Sequence, residues 1–319
     1  MGKSDFIFKY RIRNWPEYNR ALVRRSELTF WIDEQAISGW RHEEQVGGRG
    51  RPRIYADTAI ECALVVKAVF HLSLRATQGF LASVVKLMGV ALPVPDYSTV
   101  SRRQSELEVG LCLRPGIQPR HVVIDTTGLK VYGAGEWYVR KYGMGRGRRR
   151  SWRKLRLGVD ETTREIVVVN LTTSKVHDGR QLPEILNQIP GDIAQVSADK
   201  ACDSGACYEA ILQRAATPTI PPRRRARLSQ SPDPRPSRAA RDEILRRIKK
   251  EGLYVWQTSS GATRQSLAEN AMSRFKAMVG IKLSARELEG QRVEAMVKCQ
   301  VLNRMASLGL PVSERVPVY

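Results

Sequence analysis

From His121 onward the chain is a succession of short apolar, β-branched runs separated by turn and helix signals, and this order leaves few folds open. HVVID, RKLRLGVD and EIVVVNLTTS read as three strands, the last two joined by a turn over Glu161–Arg164, which predicts an antiparallel meander. GRQLPEILNQIP then carries Leu182, Ile185, Leu186 and Ile189 at helical spacing. AQVSAD is a fourth strand, SGACYEAILQRA a helix and TPTIPP a fifth strand; SLAENAMSRFKAMV closes the series as the last helix. The order βββαβαβα belongs to an α/β unit with a mixed sheet flanked by helices.

Two lone carboxylates close apolar runs in this unit. Asp125 ends its first strand and Asp199 its fourth, each where a buried, unpaired charge is costly and wants a counter-ion. In the RNase H-like fold, whose strand succession this is, those two strands lie side by side. Both aspartates would then converge at one end of the sheet, in an oxygen-rich setting that suits Mg²⁺. Glu269 has two readings. Ser266-Leu-Ala-Glu269 is an S-x-x-E capping box, in which the glutamate bonds the first N–H groups of its helix. On that helix, however, Glu269 and Lys276 fall within roughly 20° of each other at about 100° per residue. They stand beside the apolar stripe of Ala268, Met272, Phe275 and Val279. From that edge Glu269 could complete a metal cage and Lys276 hold a phosphate. Three such carboxylates imply two-metal phosphoryl transfer with two Mg²⁺ ions, for which Mn²⁺ is a substitute.

Charge points to the same class of partner. Lys and Arg number 53 against 32 Asp and Glu, a net +21, and a field of that sign attracts polyanions. Arginine clusters around the connection after the first strand, at Arg146, Arg148, Arg149, Arg150, Arg153 and Arg156, with Trp137, Tyr138, Tyr142 and Trp152 between. Aromatics among arginines suit unstacked bases or a strand track. A second basic block, with Arg223, Arg224 and Arg225, precedes the Glu269 helix and reads as a mobile loop at about 221–250. Either block could also be a solvated basic surface.

Ahead of this unit the composition is helical. Residues 15–40 read as an arm of one or two short helices, followed by GGRGRPR, where Arg49 and Arg51 resemble an AT-hook for the minor groove or a plain basic linker. TAIECALVVKAVFHL reads as a buried helix; SLRATQGFLASVVKLMG as a second, capped by Ser73 and ended by Gly89; and YSTVSRRQSELE as a third, capped by Ser98 and exposing Arg102, Arg103 and Gln104. Helix, turn, basic helix is the order of a helix-turn-helix DNA reader, and equally of a three-helix bundle with a basic face. The expected division is 1–56 as arm and linker, 57–115 as an all-α DNA-binding unit, and 118–311 as the catalytic unit. The five cysteines show no zinc or disulfide spacing and read as buried thiols; the four histidines show no ligand spacing. No apolar run of signal-peptide or membrane length is present, so a cytoplasmic protein without a membrane partner is expected, nucleoid-associated when bound to DNA.

The chain resembles bacterial DDE transposases of the insertion-sequence-five family over about residues 18–310. The resemblance runs through YNRALVRRSELTFWID, LSLRATQGFLASVVKLMG, PDYSTVSRR, VVIDTTGLKVYGAGEW, WRKLRLGVD, VSADKACD and RQSLAENAMSRFK. It implies a catalytic triad of Asp125, Asp199 and Glu269, Mg²⁺ as cofactor, and a homodimer or higher oligomer that joins terminal inverted repeats to target double-stranded DNA. The family's Tyr-x2-Arg-x3-Glu-x6-Lys pattern keeps Glu269 and Lys276 but has Ala262 for the tyrosine and Gln265 for the arginine, with Arg264 as a stand-in. Lys200 follows Asp199 where glycine is common, and Asp203 is a spare carboxylate expected to cap the next helix. These departures motivate two alternatives: a weakened or domesticated DNA-binding protein, and an RNase H-like nuclease without strand transfer.

Overall fold

The computed structural model describes residues 8–42, 53–114, 119–131, 152–229 and 235–317. Among them β2 (Arg120–Val131) is the pivot of a mixed sheet. It pairs antiparallel with β3 (Trp152–Asp160), which pairs antiparallel with β4 (Ile166–Thr173). On its other edge β2 runs parallel to β5 (Ile193–Ser197), and β5 parallel to β6 (Thr217–Thr219). The order is β4-β3-β2-β5-β6: the three-strand meander and the neighbouring of the first and fourth strands were expected from the sequence, β6 adds the far edge, and a short β7 (Lys282–Leu283) lies beside the far end of β2.

Both faces of this sheet are covered, which explains why its strands are apolar runs rather than half-polar ones. Side chains alternate along β2: Val122 and Ile124 enter the core beneath α7 (Asp178–Gln188) and α8 (Gly205–Gln213), while Val123 enters the core of the opposite face. The crossing of β3 and β4 is tight. A Cβ on Gly158 would lie 2.5 Å from Cγ1 of Val168 and 3.1 Å from that of Val122, so no side chain fits there.

The face of Val123 is covered by α11 (Gln265–Met278) and by α12 (Leu288–Leu308), a further helix beyond the one the sequence reading took as last. Much of what α12 buries is polar and satisfied. Gln291 donates to the carbonyls of Ala285 and Arg286, Asn303 brackets Ile166 with two hydrogen bonds, and Glu294 takes the amides of Ser284 and Ala285.

The N-terminal segment begins with α1 (Trp15–Arg24), α2 (Leu28–Trp31) and α3 (Glu34–Ser38), three helices where one or two were expected. Trp31 and Trp40 are buried, their indoles donating to the carbonyls of Arg25 and Pro93 at 2.8 and 2.7 Å. Next come α4 (Asp57–Val69), α5 (Leu74–Leu87) and α6 (Tyr97–Arg103). Helix α4 is buried along most of its length and packs on α12, so the helices of residues 57–114 share one apolar core with the sheet. Ser73 caps α5 as expected, but α6 is capped by Asp96, which accepts from the Ser98 amide at 2.8 Å; Ser98 is not the cap.

Three further expectations are corrected. The 221–250 segment is not all loop, because α9 (Pro236–Glu251) fills its second half, followed by α10 (Leu253–Ser259). Cys112 is exposed, whereas the other four cysteines are buried thiols. Finally, β1 (Phe8–Ile12) and β8 (Ser313–Pro317) pair antiparallel as a separate two-stranded sheet that the sequence did not signal.

Candidate active site

Asp125 stands within β2 rather than at its end, since the strand continues to Val131 against β3 and β7. Strand alternation gives it the face of Val123, the one under α11. It is half-buried and accepts from the Thr126 amide at 2.8 Å. The β2–β5 register ends with Val123 opposite Ser197, and two residues on from each stand Asp125 and Asp199. Asp199 is exposed and starts a 3-10 turn over Lys200–Cys202, its carboxylate accepting from the Ala201 amide at 3.0 Å.

Glu269 lies one turn into α11. The capping box is overturned: α11 begins at Gln265, the cap position is Arg264 with no side-chain cap, and the Ser266 hydroxyl donates back to the Thr263 carbonyl at 3.4 Å. The helix is instead fixed to the sheet by Gln265, whose amide Nε2 donates to the Ile124 carbonyl at 2.9 Å. Glu269 and Lys276 are both exposed on this helix, and the stripe Ala268, Met272, Phe275 and Val279 is buried as its spacing predicted.

Electrostatics ties the four together. Burial raises the Asp125 pKa above the ordinary carboxylate value, and the charges of Asp199 and Glu269 raise it further. The Thr126 amide and the Lys276 charge oppose these and do not overcome them. A positive charge beside these carboxylates would relieve their mutual repulsion.

A brace missed in the sequence holds the same elements from behind. Arg264 Nε meets Glu161 Oε1 at 2.9 Å, the other oxygen of Glu161 meets His121 Nδ1, and His121 Nε2 lies 2.8 Å from the Ser197 hydroxyl. Thus one side-chain chain joins the start of α11, which bears Glu269, β2, which bears Asp125, and the end of β5, two residues before Asp199. Burial lowers the His121 pKa and Glu161 only partly offsets it, which favours a neutral imidazole bridging carboxylate and hydroxyl. The signal was the position of His121 four residues before Asp125 on a strand.

Among the described residues no group of three His, Cys, Asp or Glu side chains is arranged to hold a metal ion. The donor set nonetheless fits a hard divalent cation. Its donors are all carboxylate oxygens, and a cation among them would reverse the repulsion that raises Asp125.

The expected DNA-contacting residues divide. Arg102 is exposed, but Arg103 is buried, pairs with Asp57 and donates to the Tyr55 carbonyl at 2.8 Å; Gln104 is buried on the Gly290 carbonyl at 2.7 Å. Both are therefore structural, not DNA-facing. Arg153 is half-buried on Gln291 at 2.7 Å, and Arg156 is fully buried among Asp178, Asn170 and Thr172. Arg223, Arg224 and Arg225 are exposed, as is Arg264. Arg49, Arg51, Arg146, Arg148, Arg149 and Arg150 lie outside the described residues. Asp203 neither caps α8 nor stands spare: it is buried, clamps Arg241 at 2.7 Å and accepts from the Arg223 amide at 3.0 Å.

Two family models, both described as "Transposase DDE domain", match residues 23–134 and 116–304, the second spanning more than half of the chain. The chain belongs to the DDE transposases. It is accordingly an enzyme of the transposase type. Among solved structures it is similar to a piggyBac transposase synaptic complex with hairpin DNA, at 11% identity, TM-score 0.38, covering 89% of this chain and 73% of that one. It is also similar to a Drosophila P element transposase strand transfer complex, at 10% identity, TM-score 0.30, covering 92% and 86%. At such TM-scores neither likeness bears on how this transposase works. No helix among its described residues is long and apolar enough to cross a membrane.

Proposed function

We propose that the chain is the transposase of a bacterial insertion-sequence-five element, which binds the element's terminal inverted repeats as a homodimer or higher oligomer and cuts and joins double-stranded DNA. The carrying observation is that the matched transposase domain, residues 116–304, contains Asp125, Asp199 and Glu269, with Gln265 tying the helix of Glu269 to the strand of Asp125. Asp125, Asp199 and Glu269 would hold two Mg²⁺ ions. When bound, these supply an activated water or 3′-hydroxyl and a stabilised leaving oxygen for in-line displacement at phosphorus.

The chain's own residues set up that chemistry. Half-burial keeps Asp125 short of water, so its oxygens favour a cation over solvent. Gln265 holds α11, and with it Glu269, against the strand of Asp125. Lys276 offers its charge to a phosphate beside the carboxylates. The exposed Arg223, Arg224, Arg225 and Arg264 extend the positive surface, to which Arg49, Arg51, Arg146, Arg148, Arg149, Arg150 and the more enclosed Arg153 would add. In this reading residues 57–115 act as the DNA-reading helices, with Arg102 the outward group of α6, residues 118–311 act as the catalytic unit, and the protein resides in the cytoplasm on the nucleoid.

The test is incubation of the full chain with labelled element ends and Mg²⁺. Cleavage and joining are expected, and Asp199→Asn should bind the ends yet cut none. Equal cutting by Asp199→Asn would overturn the metal site, and cleavage without joining would leave a nuclease. Ala262, Gln265 and Lys200 favour a weakened enzyme as the second reading, against which stands the bond by which Gln265 still ties α11 to the sheet.

A further inference from the structure

Glu269 stands where its helix puts it, and α11 begins without a side-chain cap at Arg264. The buried stripe of Ala268, Ala271, Met272 and Phe275 decides which side of α11 meets the sheet. Apolar contact is non-directional, however, and resists sliding along the helix axis poorly. A slip of one residue would carry Glu269 about 1.5 Å along the axis. Directional bonds are needed at the start of the helix, and Gln265 supplies one.

The turn before α11 supplies others. Helix α10 ends at Ser259, Gly261 takes φ +78°, and a 3-10 turn over Ala262–Arg264 leads into α11. Beneath this turn His121 on β2 stands opposite Gln195 on β5, and four residues on from each stand Asp125 and Asp199. Strand alternation gives His121 the face of Val123 and Asp125. A Cβ added to Gly261 would lie 3.5 Å from His121 Cε1 and 3.6 Å from Gln195 Nε2, so the turn rests on both side chains. Gln195 Nε2 donates to the Ser260 carbonyl at 2.6 Å and to the Thr219 hydroxyl at 2.7 Å, which uses both of its hydrogens. His121 bonds the Ser197 hydroxyl at 2.8 Å and Glu161, whose other oxygen holds Arg264 at 2.9 Å. The turn is thus gripped at Ser260 through Gln195 and at Arg264 through Glu161 and His121. Both grips are rooted in the strands that lead to the aspartates.

We infer that His121 and Gln195 are positioning residues: seated under the Ser260–Arg264 turn, they fix the axial register of α11 and with it the place of Glu269 relative to Asp125 and Asp199. The consequence for a metal ion rests on the proposed function; the seating of α11 does not.

Variants of the full chain test this, with Asp199→Asn as control. Gln195→Glu keeps the shape of the side chain and removes both donors. His121→Ala opens the link from Glu161 to Ser197, and His121→Gln restores a donor and an acceptor. The first arm is hydrogen exchange of the Glu269–Met272 amides, which bond back to the first turn of α11. Exchange should run several-fold faster in Gln195→Glu and His121→Ala than in the parent and the control. The second arm counts free Mn²⁺ by electron paramagnetic resonance, without DNA. Those two variants should bind Mn²⁺ about tenfold more weakly than the parent. His121→Gln should recover most of the loss, and Asp199→Asn should bind least. Unchanged exchange in both variants overturns the seating. Faster exchange with undiminished Mn²⁺ affinity, where the control has lost its Mn²⁺, leaves a role in stability alone and overturns the positioning. Parent-like Mn²⁺ binding by the control removes the metal reading, while the exchange arm still decides the seating. If His121→Ala does not fold, Gln195→Glu carries both arms.

Discussion

The side-chain amide of Gln265 donates a 2.9 Å hydrogen bond to the carbonyl of Ile124, the residue directly before Asp125. Through it the first residue of the glutamate helix and the first aspartate of the candidate triad share one backbone anchor. Gln265→Ala should therefore lower the rate of end cleavage about tenfold, since small displacements of reacting groups are costly. The loss of one hydrogen bond should cost only about 1 kcal/mol of stability. Single-turnover cleavage beside thermal melting checks this; an unchanged rate would show that α11 is positioned by its buried stripe alone.

Arg102 and Arg103 are neighbours with opposite fates, one exposed and one buried against Asp57 and Tyr55. Arg102→Ala should leave melting unchanged and weaken DNA binding with a shallower salt slope. Arg103→Ala should instead destabilise the fold by about 1–2 kcal/mol, through the lost hydrogen bond to the Tyr55 carbonyl, since Asp57 is itself largely exposed. Equal effects on DNA affinity at unchanged stability would refute the division.

Glu294 is buried on α12 between Lys298 at 3.2 Å and Lys67 at 3.9 Å, with the amides of Ser284 and Ala285 on its oxygens. Burial pushes its pKa up, but Lys67, Lys298 and the amides together leave it below the ordinary 4.5. A depressed carboxylate stabilises the fold above its unfolded pKa and loses that contribution as pH falls through the depressed folded value. Glu294→Gln should thus cost about 3 kcal/mol near neutral pH. Denaturant titrations across pH 7 to 3 should show the parent and variant converging on the acid side, and parallel curves would contradict the assignment.

At Gly158 an added Cβ meets Val168 and Val122 inside the sheet. Gly158→Ala should destabilise by about 2 kcal/mol through overpacking, lowering the melting temperature by several degrees. Cleavage per folded molecule should fall as well, because Gly158 pairs with Ile124, which precedes Asp125 and whose carbonyl anchors Gln265; an unchanged rate would show that the strain is absorbed on the β4 side.

The strand order and two of the three carboxylates were legible because a parallel-edged sheet covered on both faces must be written in apolar, β-branched runs, against which Asp125 and Asp199 stand out. Glu269 was legible only as an ambiguity, of which the capping half falls because Ser266 bonds Thr263 instead of capping the helix. Helix α12 was hidden because its buried face carries Gln291, Glu294, Lys298, Gln300 and Asn303, whose partners lie far away in the chain. Arg103 was misplaced for the same reason: charge announces a wish for a partner, and the sequence does not say that Asp57 supplies it. The brace from Arg264 to Ser197 likewise joins four segments whose adjacency only the folded sheet creates.

The pairing of Phe8–Ile12 with Ser313–Pro317 gives almost the whole chain the topology of a closed loop. During synthesis the first strand emerges long before its mate exists, so its edge waits unpaired while everything between Ile12 and Ser313 is made. The seam therefore closes only after the strands and helices of the larger sheet have been synthesised, and a break in either of its strands leaves the other with an open edge.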